Sequence, residues 1–430
     1  MKKSYKTMTR SELEAEIVSL RAAYDAKVKK GLKLDMSRGK PSTEQLDLSN
    51  EMLTVLHGDD CKTETGFDVR NYGVLAGIPE ARRFIAELCS VSPENVIMGG
   101  SASLEVMYNA LTRAMIFGVD KESEPWAKQG KIKFLCPAPG YDRHFGMCQD
   151  LGIEMINIKM TDEGPDMDEV ERLVASDSSV KGMWCVPKYS NPDGVTYSEK
   201  TVRRIADLDH AAPDFRVFWD NAYIVHDLTD TPDELINIFD LTRGTKNEDM
   251  VYMFVSTAKI SFPGAGISAF ISSEKNVAEA LSHINFQTIS YDKINQLRHV
   301  RYFGNADGVR EHMKRHASIL YPKFRIVIDA LDSELGGLDV AEWRRPNGGY
   351  FVSFYAMPGT AKRIGELCKG AGVTLTNVGA TYPYGVDPDD SNIRIAPSYP
   401  PLDELKTAIE LFCVCVKLAG VRRLLAEKSA

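Results

Sequence analysis

Three polar side chains follow short apolar runs, at points where a buried strand would end. Asn191 comes after GMWCVP, Asp220 closes FRVFWD, and Lys259 lies four residues beyond VYMFV. The intervals of 29 and 39 residues each suit one strand–helix–strand crossover. Right-handed crossovers return the chain to the same edge of a sheet, where open α/β sheets place their ligands. An amide, a carboxylate and an amine are therefore expected to converge.

A second polar segment, VIMGGSASLEVM, is typical of a strand, a glycine turn and a helix that begins near Ser101. Gly99 and Gly100 permit a tight turn there. The hydroxyls of Ser101 and Ser103 and the free amides around Ala102 would then face an anion at the start of the helix. Taken alone, an ordinary strand-to-helix turn with a serine cap explains this segment equally well.

Pyridoxal phosphate is a ligand that requires an amine, a carboxylate, a phenol, an amide and an anion site together. A lysine amine forms a Schiff base with its aldehyde, and burial lowers the lysine pKa so that the amine is nucleophilic near neutral pH. A carboxylate keeps the pyridine nitrogen protonated, so that the ring accepts electrons from a carbanion at Cα. The sequence thus predicts Lys259 as the Schiff-base lysine and Asp220 as the partner of the ring nitrogen.

Four further side chains complete the predicted cofactor site. Asn191 and Tyr223, from DNAY, are expected to hydrogen-bond the ring 3′ oxygen. Ser256 is expected to join the glycine–serine turn in binding the phosphate. Tyr141, in PAPGYDRHF after another apolar run, is expected to stack on the ring face. Each residue alone has an ordinary structural explanation, and the joint order and spacing favour the cofactor.

Several motifs of the chain match one known family. NPDG at Asn191 matches an Asn-Pro-x-Gly motif, and DNAY matches an Asp-x-x-Tyr motif at Asp220 and Tyr223. SRGKPS resembles a Gly-x-Pro entry segment, which implies that Gly39 lies near the substrate, and PNGGYF resembles a strand of a smaller domain. Over nearly its whole length the chain resembles the class I aminotransferases, which are fold type I pyridoxal-phosphate enzymes.

The resemblance also implies roles for two residues outside the sheet. NYGVLAGIPEARR resembles a segment whose tyrosine, here Tyr72, reaches the phosphate of the neighbouring subunit, so a homodimer is expected. NIRIAPSY places Arg394 where the family keeps the arginine that binds the substrate α-carboxylate, together with Asn191. That role suits the planar bidentate fork of an arginine better than a lysine.

One position departs from the family pattern. The family usually has an arginine seven residues after the Schiff-base lysine as a phosphate counterion, whereas this chain has Gly266 in STAKISFPGAGIS. The phosphate must then be neutralised by another cation, by amide and hydroxyl donors, or by the partner subunit. The variant is similar to a divergent bacterial subgroup that contains aspartate aminotransferases. It is also similar to the aminotransferase-like domain of pyridoxal-binding transcription regulators.

The resemblance implies an aminotransferase that moves an amino group from aspartate or glutamate to a 2-oxo acid such as 2-oxoglutarate by a ping-pong mechanism. Lys259 would be the general base and acid. A side-chain carboxylate on the substrate needs a second cation, for which Lys40, Arg143, Lys188 and Arg298 are candidates by their proximity to the motifs. Each of these four, taken alone, is typical of a solvated surface charge.

Other functions remain open at this point. Lys259 and Asp220 serve β-elimination or decarboxylation equally well, and other amino acids are possible amino donors. A non-catalytic effector domain is disfavoured because only about 35 residues precede SRGKPS, too few for a DNA-binding domain. The histidine pair His312 and His316 lacks an HExxH motif, so we interpret it as a solvated helix face and expect no metal.

The elements that must position these residues follow from the pattern of the whole chain. Its 430 residues suggest two domains. Short apolar runs separated by helical patterns predict an α/β fold with a mostly parallel sheet wrapped by helices. We expect residues 61–311 to form this large cofactor-binding domain, and residues 312–430 a smaller α+β domain. Residues 1–60, the N-terminal helix and entry segment, are expected to belong to the smaller one. The predicted strands are Asn95–Met98, Ile132–Cys136, Glu154–Ile158, Gly182–Val186, Arg216–Trp219, Val251–Val255 and Ile267–Ile271.

Composition restricts the partners and the compartment. A formal net charge of −8 gives no electrostatic reason to expect a nucleic-acid partner. No apolar run is long enough to span a bilayer, and the N-terminus lacks the apolar segment of a secretory signal. The eight cysteines are scattered without a CxxC pair, which is typical of reduced thiols in a cytoplasmic protein.

Overall fold

The computed structural model describes residues 2–429, and its strands form three sheets. The strands are β1 (Leu34–Asp35), β2 (Val96–Met98), β3 (Lys133–Ala138), β4 (Glu154–Thr161), β5 (Gly164–Pro165), β6 (Val180–Cys185), β7 (Arg216–Asp220), β8 (Val251–Ser256), β9 (Ser268–Ile271), β10 (Ala341–Trp343), β11 (Val352–Ala356), β12 (Val373–Thr374) and β13 (Asn392–Ile395). The largest sheet has eight strands in the order β2-β9-β8-β7-β6-β3-β4-β5. All neighbouring strands from β8 to β4 pair in parallel, whereas β9 and β5 run against their neighbours. The predicted mostly parallel α/β sheet is confirmed.

Each of the seven apolar runs predicted as strands forms one, with ends that differ by three residues at most. The runs in the centre of the sheet are continuous because helices cover both faces there, whereas β4 near the edge alternates between buried and exposed residues. In β7, Val217 and Trp219 pack into one core, and Phe218 packs into the core on the opposite face. The centre of the sheet is therefore a buried platform whose strand ends carry the polar side chains.

Helices cover the sheets and link the strands. They are α1 (Arg10–Val28), α2 (Thr43–Asp47), α3 (Pro79–Cys89), α4 (Ser103–Phe117), α5 (Asp142–Asp150), α6 (Met167–Ser176), α7 (Glu199–Ala206), α8 (Ile238–Thr242), α9 (Glu274–Gln287), α10 (Lys293–Phe303), α11 (Ala306–Leu335), α12 (Ala361–Gly370) and α13 (Leu402–Glu427). The first is capped by Thr9, whose side chain accepts from the Glu12 amide while the Glu12 carboxylate accepts from the Thr9 amide. This reciprocal pair is a capping box, which fixes the start of the helix.

A second core forms around the antiparallel sheet β10-β11-β13 and the parallel pair β1-β12. Helices α1 and α11 pack against α13, so the N-terminal helix lies against the C-terminal part of the chain. The first turns of helix α11 pack into the sheet core through Val309 and Met313, and its last turns pack into the second core through Leu331. A domain boundary after residue 311 would therefore fall inside a continuous helix, and the division into residues 1–60, 61–311 and 312–430 stays our proposal.

Two features bear on the environment of the protein. Among residues 2–429, no helix combines the length and the apolar character that crossing a membrane requires. All eight cysteines are buried and unpaired.

Candidate active site

The amine and the carboxylate predicted from the sequence lie at neighbouring strand ends. Strands β7 and β8 are parallel neighbours, and Asp220, the last residue of β7, is in register with Phe254. The chain continues past β8 for three residues to Lys259, whose Nζ lies 5.0 Å from the centre of the Tyr223 ring. The charge of Asp220 acts directly on the Lys259 amine. Lysine, carboxylate and phenol therefore converge at one edge of the sheet.

The environment of Lys259 favours its neutral amine. Desolvation lowers the pKa of Lys259, and the charge of Arg394 lowers it further, while Asp220 opposes both effects by raising it. The net shift of the pKa is downward because the loss of hydration outweighs the single carboxylate. Lys259 is accordingly a better nucleophile and base near neutral pH than a solvated lysine.

Asp220 has one oxygen that is bound and one that is not. The side chain is only 3% exposed. Its Oδ2 lies 3.0 Å from His144 Nε2, whereas its Oδ1 is buried without a hydrogen-bond partner among the described residues. A buried carboxylate oxygen without a donor is costly. A protonated pyridine nitrogen is a donor that would satisfy it, so this residue fits the ring of pyridoxal phosphate.

His144 is a site residue that the sequence analysis missed. Its ring stacks on Trp184 at 4.1 Å with an interplanar angle of 3°, and this stack aims Nε2 at Asp220. It also packs edge-on against Tyr141, with 5.0 Å between ring centres. The signal was present, because the histidine follows Tyr141 by three residues in PAPGYDRHF after β3.

Arg394 reaches the sheet edge from β13 of the second core. Its Nη1 donates to Asn191 Oδ1 and to Asp142 Oδ1, both at 3.2 Å. Arg394 is 8% exposed, and its charge acts on both Tyr141 and Tyr223, which places it beside the predicted ring site. The guanidinium thus lies where a substrate carboxylate would meet the amine of the lysine.

The entry segment lies against the same arginine. The guanidinium of Arg394 is 4.7 Å from the centre of the Phe351 ring. A Cβ on Gly39 would come within 2.2 Å of that ring, so only glycine fits there. In addition, Thr376 Oγ1 donates to the Ser37 carbonyl and lies 3.4 Å from Arg394 Nε. SRGKPS is therefore part of the wall around Arg394.

The glycine–serine turn and Ser256 also come together. The Gly99 amide donates to the Ser268 carbonyl at 2.7 Å, and the Ser268 hydroxyl donates to the Gly100 carbonyl at 2.8 Å. Ser256 is the β8 residue in register with Ser268. Helix α4 begins just beyond, with Ala102 as its N-cap and no side chain capping its amides. These amides remain available to an anion.

The geometry around Gly266 explains the missing arginine. A Cβ at this position would lie 2.9 Å from the Ser101 carbonyl oxygen and 3.1 Å from the Ala258 nitrogen. Both are backbone atoms, so no side chain can be accommodated without moving the loop that carries Lys259. The backbone itself therefore leaves no room for an arginine side chain at this position.

The structure separates the four candidate cations. Lys188 is buried and paired with Asp227 at 2.8 Å, so its interpretation as a solvated charge was wrong. Its charge is neutralised by a carboxylate 39 residues away in the chain. Lys40 and Arg143 are exposed, and Lys40 Nζ lies 3.8 Å from the centre of the Tyr399 ring. Arg298 is half-buried on α10.

The structure also bears on the predictions for Tyr72 and for the histidine pair. Tyr72 is 75% exposed on the surface of the chain, where it is free to contact another molecule. The interpretation of His312 and His316 as a solvated helix face was wrong, since they are 2% and 1% exposed. Helix α2 covers this face of α11, and Gln45 from α2 lies 3.1 Å from His316 Nδ1.

Comparisons with known proteins support the fold. The structure superposes on the α-aminoadipate aminotransferase of Thermus thermophilus with a TM-score of 0.73 over 98% of this chain and 100% of that one, at 18% identity. The fold is therefore that of the fold type I aminotransferases.

The family follows from closer relatives. The family model described as aspartate amino-transferase matches residues 8–428. An aspartate aminotransferase of Corynebacterium glutamicum is 46% identical over 401 residues, 93% of each chain. A crystal structure of an aspartate transaminase from that species superposes with a TM-score of 0.96 at 44% identity, over 98% of this chain and 99% of that one. The chain belongs to the aspartate amino-transferase family and is a transferase enzyme, which confirms the resemblance drawn from its motifs.

Proposed function

We propose that this aminotransferase binds pyridoxal phosphate through Lys259 and moves the amino group of aspartate or glutamate to a 2-oxo acid such as 2-oxoglutarate. The observation that carries the proposal is the buried Asp220 oxygen without a partner, beside a lysine whose pKa is lowered by burial. The pair provides an acceptor for a ring N–H and an amine for an aldehyde. The acidic amino donor is supported by the family and by the named aspartate aminotransferase relative.

The residues that would hold the cofactor surround this pair. Asp220 Oδ1 would accept the ring N–H, Tyr141 would pack against the ring, and Asn191 and Tyr223 would hydrogen-bond its 3′ oxygen. The open start of α4 and the neighbouring strand end would receive the phosphate, from Ser101, Ala102, Ser103 and Ser256. When bound, pyridoxal phosphate supplies an electron sink for the charge that develops at the substrate Cα.

The chain's own residues then orient the substrate and move the proton. Arg394, with Asn191, binds the α-carboxylate through its planar fork. This fixes the Cα–H bond with respect to the amine. Lys259 Nζ would remove the proton from the substrate Cα and return it to the C4′ atom of the cofactor. The lowered pKa of Lys259 suits it to act as this base and acid. The same steps in reverse with a second oxo acid complete a ping-pong cycle.

We propose Arg143 or Lys40 as the cation that recognises the substrate side-chain carboxylate. Lys188 is neutralised by Asp227, which argues against it. Arg143 lies next to Asp142, the carboxylate that contacts Arg394, and its charge partly offsets the rise that burial causes in the pKa of the nearby Tyr141 phenol. Lys40 is part of SRGKPS, which forms the wall around Arg394. Both side chains are exposed and so are free to turn towards a ligand.

We also propose a cytoplasmic homodimer in which Tyr72 reaches the phosphate site of the partner. Exposed apolar side chains support a surface for a second copy, among them Tyr72, Phe286, at 90% exposure, and Ile289. Eight buried, unpaired cysteines support a reducing compartment.

The test is a half-reaction followed by the spectrum of the bound cofactor. We expect the purified protein to bind pyridoxal phosphate with a visible absorbance band. Aspartate or glutamate should abolish that band and release the corresponding oxo acid, and aromatic amino acids should not. Lys259→Met should lose the band and turnover. Lys323→Met is the matched control, because burial also lowers the pKa of Lys323 but its Nζ donates to the Ser398 carbonyl instead.

The outcomes separate the competing reactions. Release of carbon dioxide would show that the reaction is decarboxylation. Release of ammonia with an unsaturated product would show that it is β-elimination. Multiple turnovers by Lys259→Met would refute the role of the lysine.

A further inference from the structure

Four buried polar side chains form a hydrogen-bonded network against the backbone that carries the active-site amine. This lysine-support network consists of Gln45 on α2, His312 and His316 on α11, and Tyr350 just before β11. All four side chains are at most 2% exposed. None of them touches Asp220 or Arg394 through a hydrogen bond, so the catalytic residues do not explain why such polar groups are buried here.

The orientation of Gln45 fixes the direction of the first hydrogen bonds. Its Oε1 accepts from the Ser42 amide at 3.1 Å, so its Nε2 is the donor. That Nε2 lies 2.9 Å from the Tyr350 hydroxyl and 3.1 Å from His316 Nδ1. Since Tyr350 accepts from Gln45, its own proton is free to point at the Lys259 carbonyl, 3.5 Å away.

The two histidines face the next carbonyl in the chain, that of Ile260. Arg315 Nη2 donates to His312 Nδ1 at 2.8 Å, which leaves the His312 proton on Nε2. This Nε2 lies 3.0 Å from the Ile260 carbonyl oxygen. By the same reasoning Gln45 leaves the His316 proton on its Nε2, which lies 3.0 Å from His312 Nε2, so the two rings meet beside the Ile260 carbonyl with a proton on each of these nitrogens.

The network requires both histidines to be neutral. A second proton on either Nδ1 would face the donor already placed there. Burial meets this requirement, since it lowers the pKa of His312 to about 4 and that of His316 to about 3. The neighbouring charge of Arg315 lowers both further. Two Nε2–H groups that lie 3.0 Å apart cannot bond each other, so the Ile260 carbonyl is the acceptor that both rings share.

We propose that Gln45, His316 and Tyr350 are positioning residues, which hold the Lys259–Ile260 backbone in place and couple it to the docking of α2. The amine stands on a short loop between β8 and β9, and the network holds the two carbonyls that follow it in that loop. Gln45 belongs to the segment that continues from SRGKPS. Gln45, together with Ser49, whose hydroxyl lies 3.2 Å from His312 Nε2, thereby joins the wall around Arg394 to the lysine loop. The catalytic part of this inference rests on the proposed function.

The first test needs no cofactor. Hydrogen exchange of residues 257–263 is measured by mass spectrometry in the protein without pyridoxal phosphate. We expect Gln45→Leu and Tyr350→Phe to speed exchange in this segment by roughly tenfold, the factor that the loss of one net hydrogen bond allows. Tyr24→Phe is the matched control, because Tyr24 is also buried and its hydroxyl donates to the Leu367 carbonyl at 2.9 Å, far along the chain from the lysine.

The second test is kinetic, on the protein loaded with pyridoxal phosphate and assayed with aspartate. Misplacement of the amine should lower kcat by roughly tenfold while KM changes less than about twofold. His316→Leu should show the same split. His316→Gln should recover most of the kcat, because its amide nitrogen can replace the imidazole Nε2–H that faces the Ile260 carbonyl.

The inference would be overturned if Gln45→Leu and Tyr350→Phe changed exchange and kcat no more than Tyr24→Phe does. A fall in thermal stability alone would also contradict it, since that is what a merely structural tyrosine predicts. If Gln45→Leu does not fold, Tyr350→Phe, which removes one oxygen, decides the matter. If the wild-type protein fails to turn over any amino donor, the proposed function fails, while the exchange data still test the network.

Discussion

Replacing His144 by phenylalanine tests whether the unpartnered oxygen of Asp220 is reserved for a ring nitrogen. His144 Nε2 is the one described donor to this 3%-exposed carboxylate, at 3.0 Å from Oδ2. Phenylalanine retains the ring that stacks on Trp184 and removes only the donor. Without cofactor, both carboxylate oxygens would then be buried without partners.

The magnitude follows from that geometry. A hydrogen bond to a charged group contributes about 1.5–3 kcal/mol, and a buried charge left unpaired raises the cost to the upper end. We therefore expect His144→Phe to lower the free energy of unfolding by about 3 kcal/mol without cofactor. At roughly 1–2 °C per kcal/mol for a chain of this size, Tm should fall by about 3–6 °C. With saturating pyridoxal phosphate the ring N–H supplies a donor to Asp220, so the fall should be about half as large.

The assay is thermal unfolding of wild type and variant, each with the cofactor removed and each saturated with it. His144→Gln is the control, since its amide N–H can still reach the carboxylate and Tm should fall by less than about 2 °C. Equal shifts of Tm with and without cofactor would refute the reasoning, because the cofactor would then not interact with Asp220.

Three further results are expected. Arg394→Lys should raise the KM for the amino donor by roughly 10- to 100-fold in steady-state assays, because a lysine cannot replace the bidentate fork. An unchanged KM would exclude Arg394 from carboxylate binding. Gly266→Arg should weaken cofactor binding by at least about tenfold in an equilibrium titration, because the new Cβ would lie 2.9 Å from the Ser101 carbonyl oxygen. Tighter binding would contradict this steric explanation. Burial lowers the pKa of His312 and His316 in the folded protein, so the unfolded state binds more protons below pH 6.5. The free energy of unfolding should therefore fall by about 3 kcal/mol or more between pH 6.5 and 4. Denaturant titrations should show this loss reduced in His316→Gln, and a pH-independent free energy of unfolding would contradict it.

The sheet and the strand-end residues could be predicted because each depends on local patterns. A buried parallel strand needs a continuous apolar run, and its ligand-facing residues must follow that run directly. Lys259, Asp220 and Asn191 were identified in this way, and they converge with Arg394 in the structure. Arg394 itself required the family resemblance, because its strand lies in a different core from the sheet.

The remaining features depend on contacts between distant parts of the chain. The histidine pair on α11 is separated by Met-Lys-Arg, which is typical of an exposed helix face, yet α2 covers it from more than 260 residues away in the sequence. Lys188 is likewise buried because Asp227 neutralises it. The reason for Gly266 is a close approach of two backbone segments, which no residue pattern encodes.

The most direct test of the central claim is chemical fixation of the cofactor on its amine. The protein is incubated with pyridoxal phosphate, reduced with borohydride, digested and mapped by mass spectrometry. We expect a phosphopyridoxyl group on Lys259 and none on Lys188 or Lys323, two lysines that are buried. A label on another lysine, or an unmodified Lys259 in protein that has bound the cofactor, would contradict it.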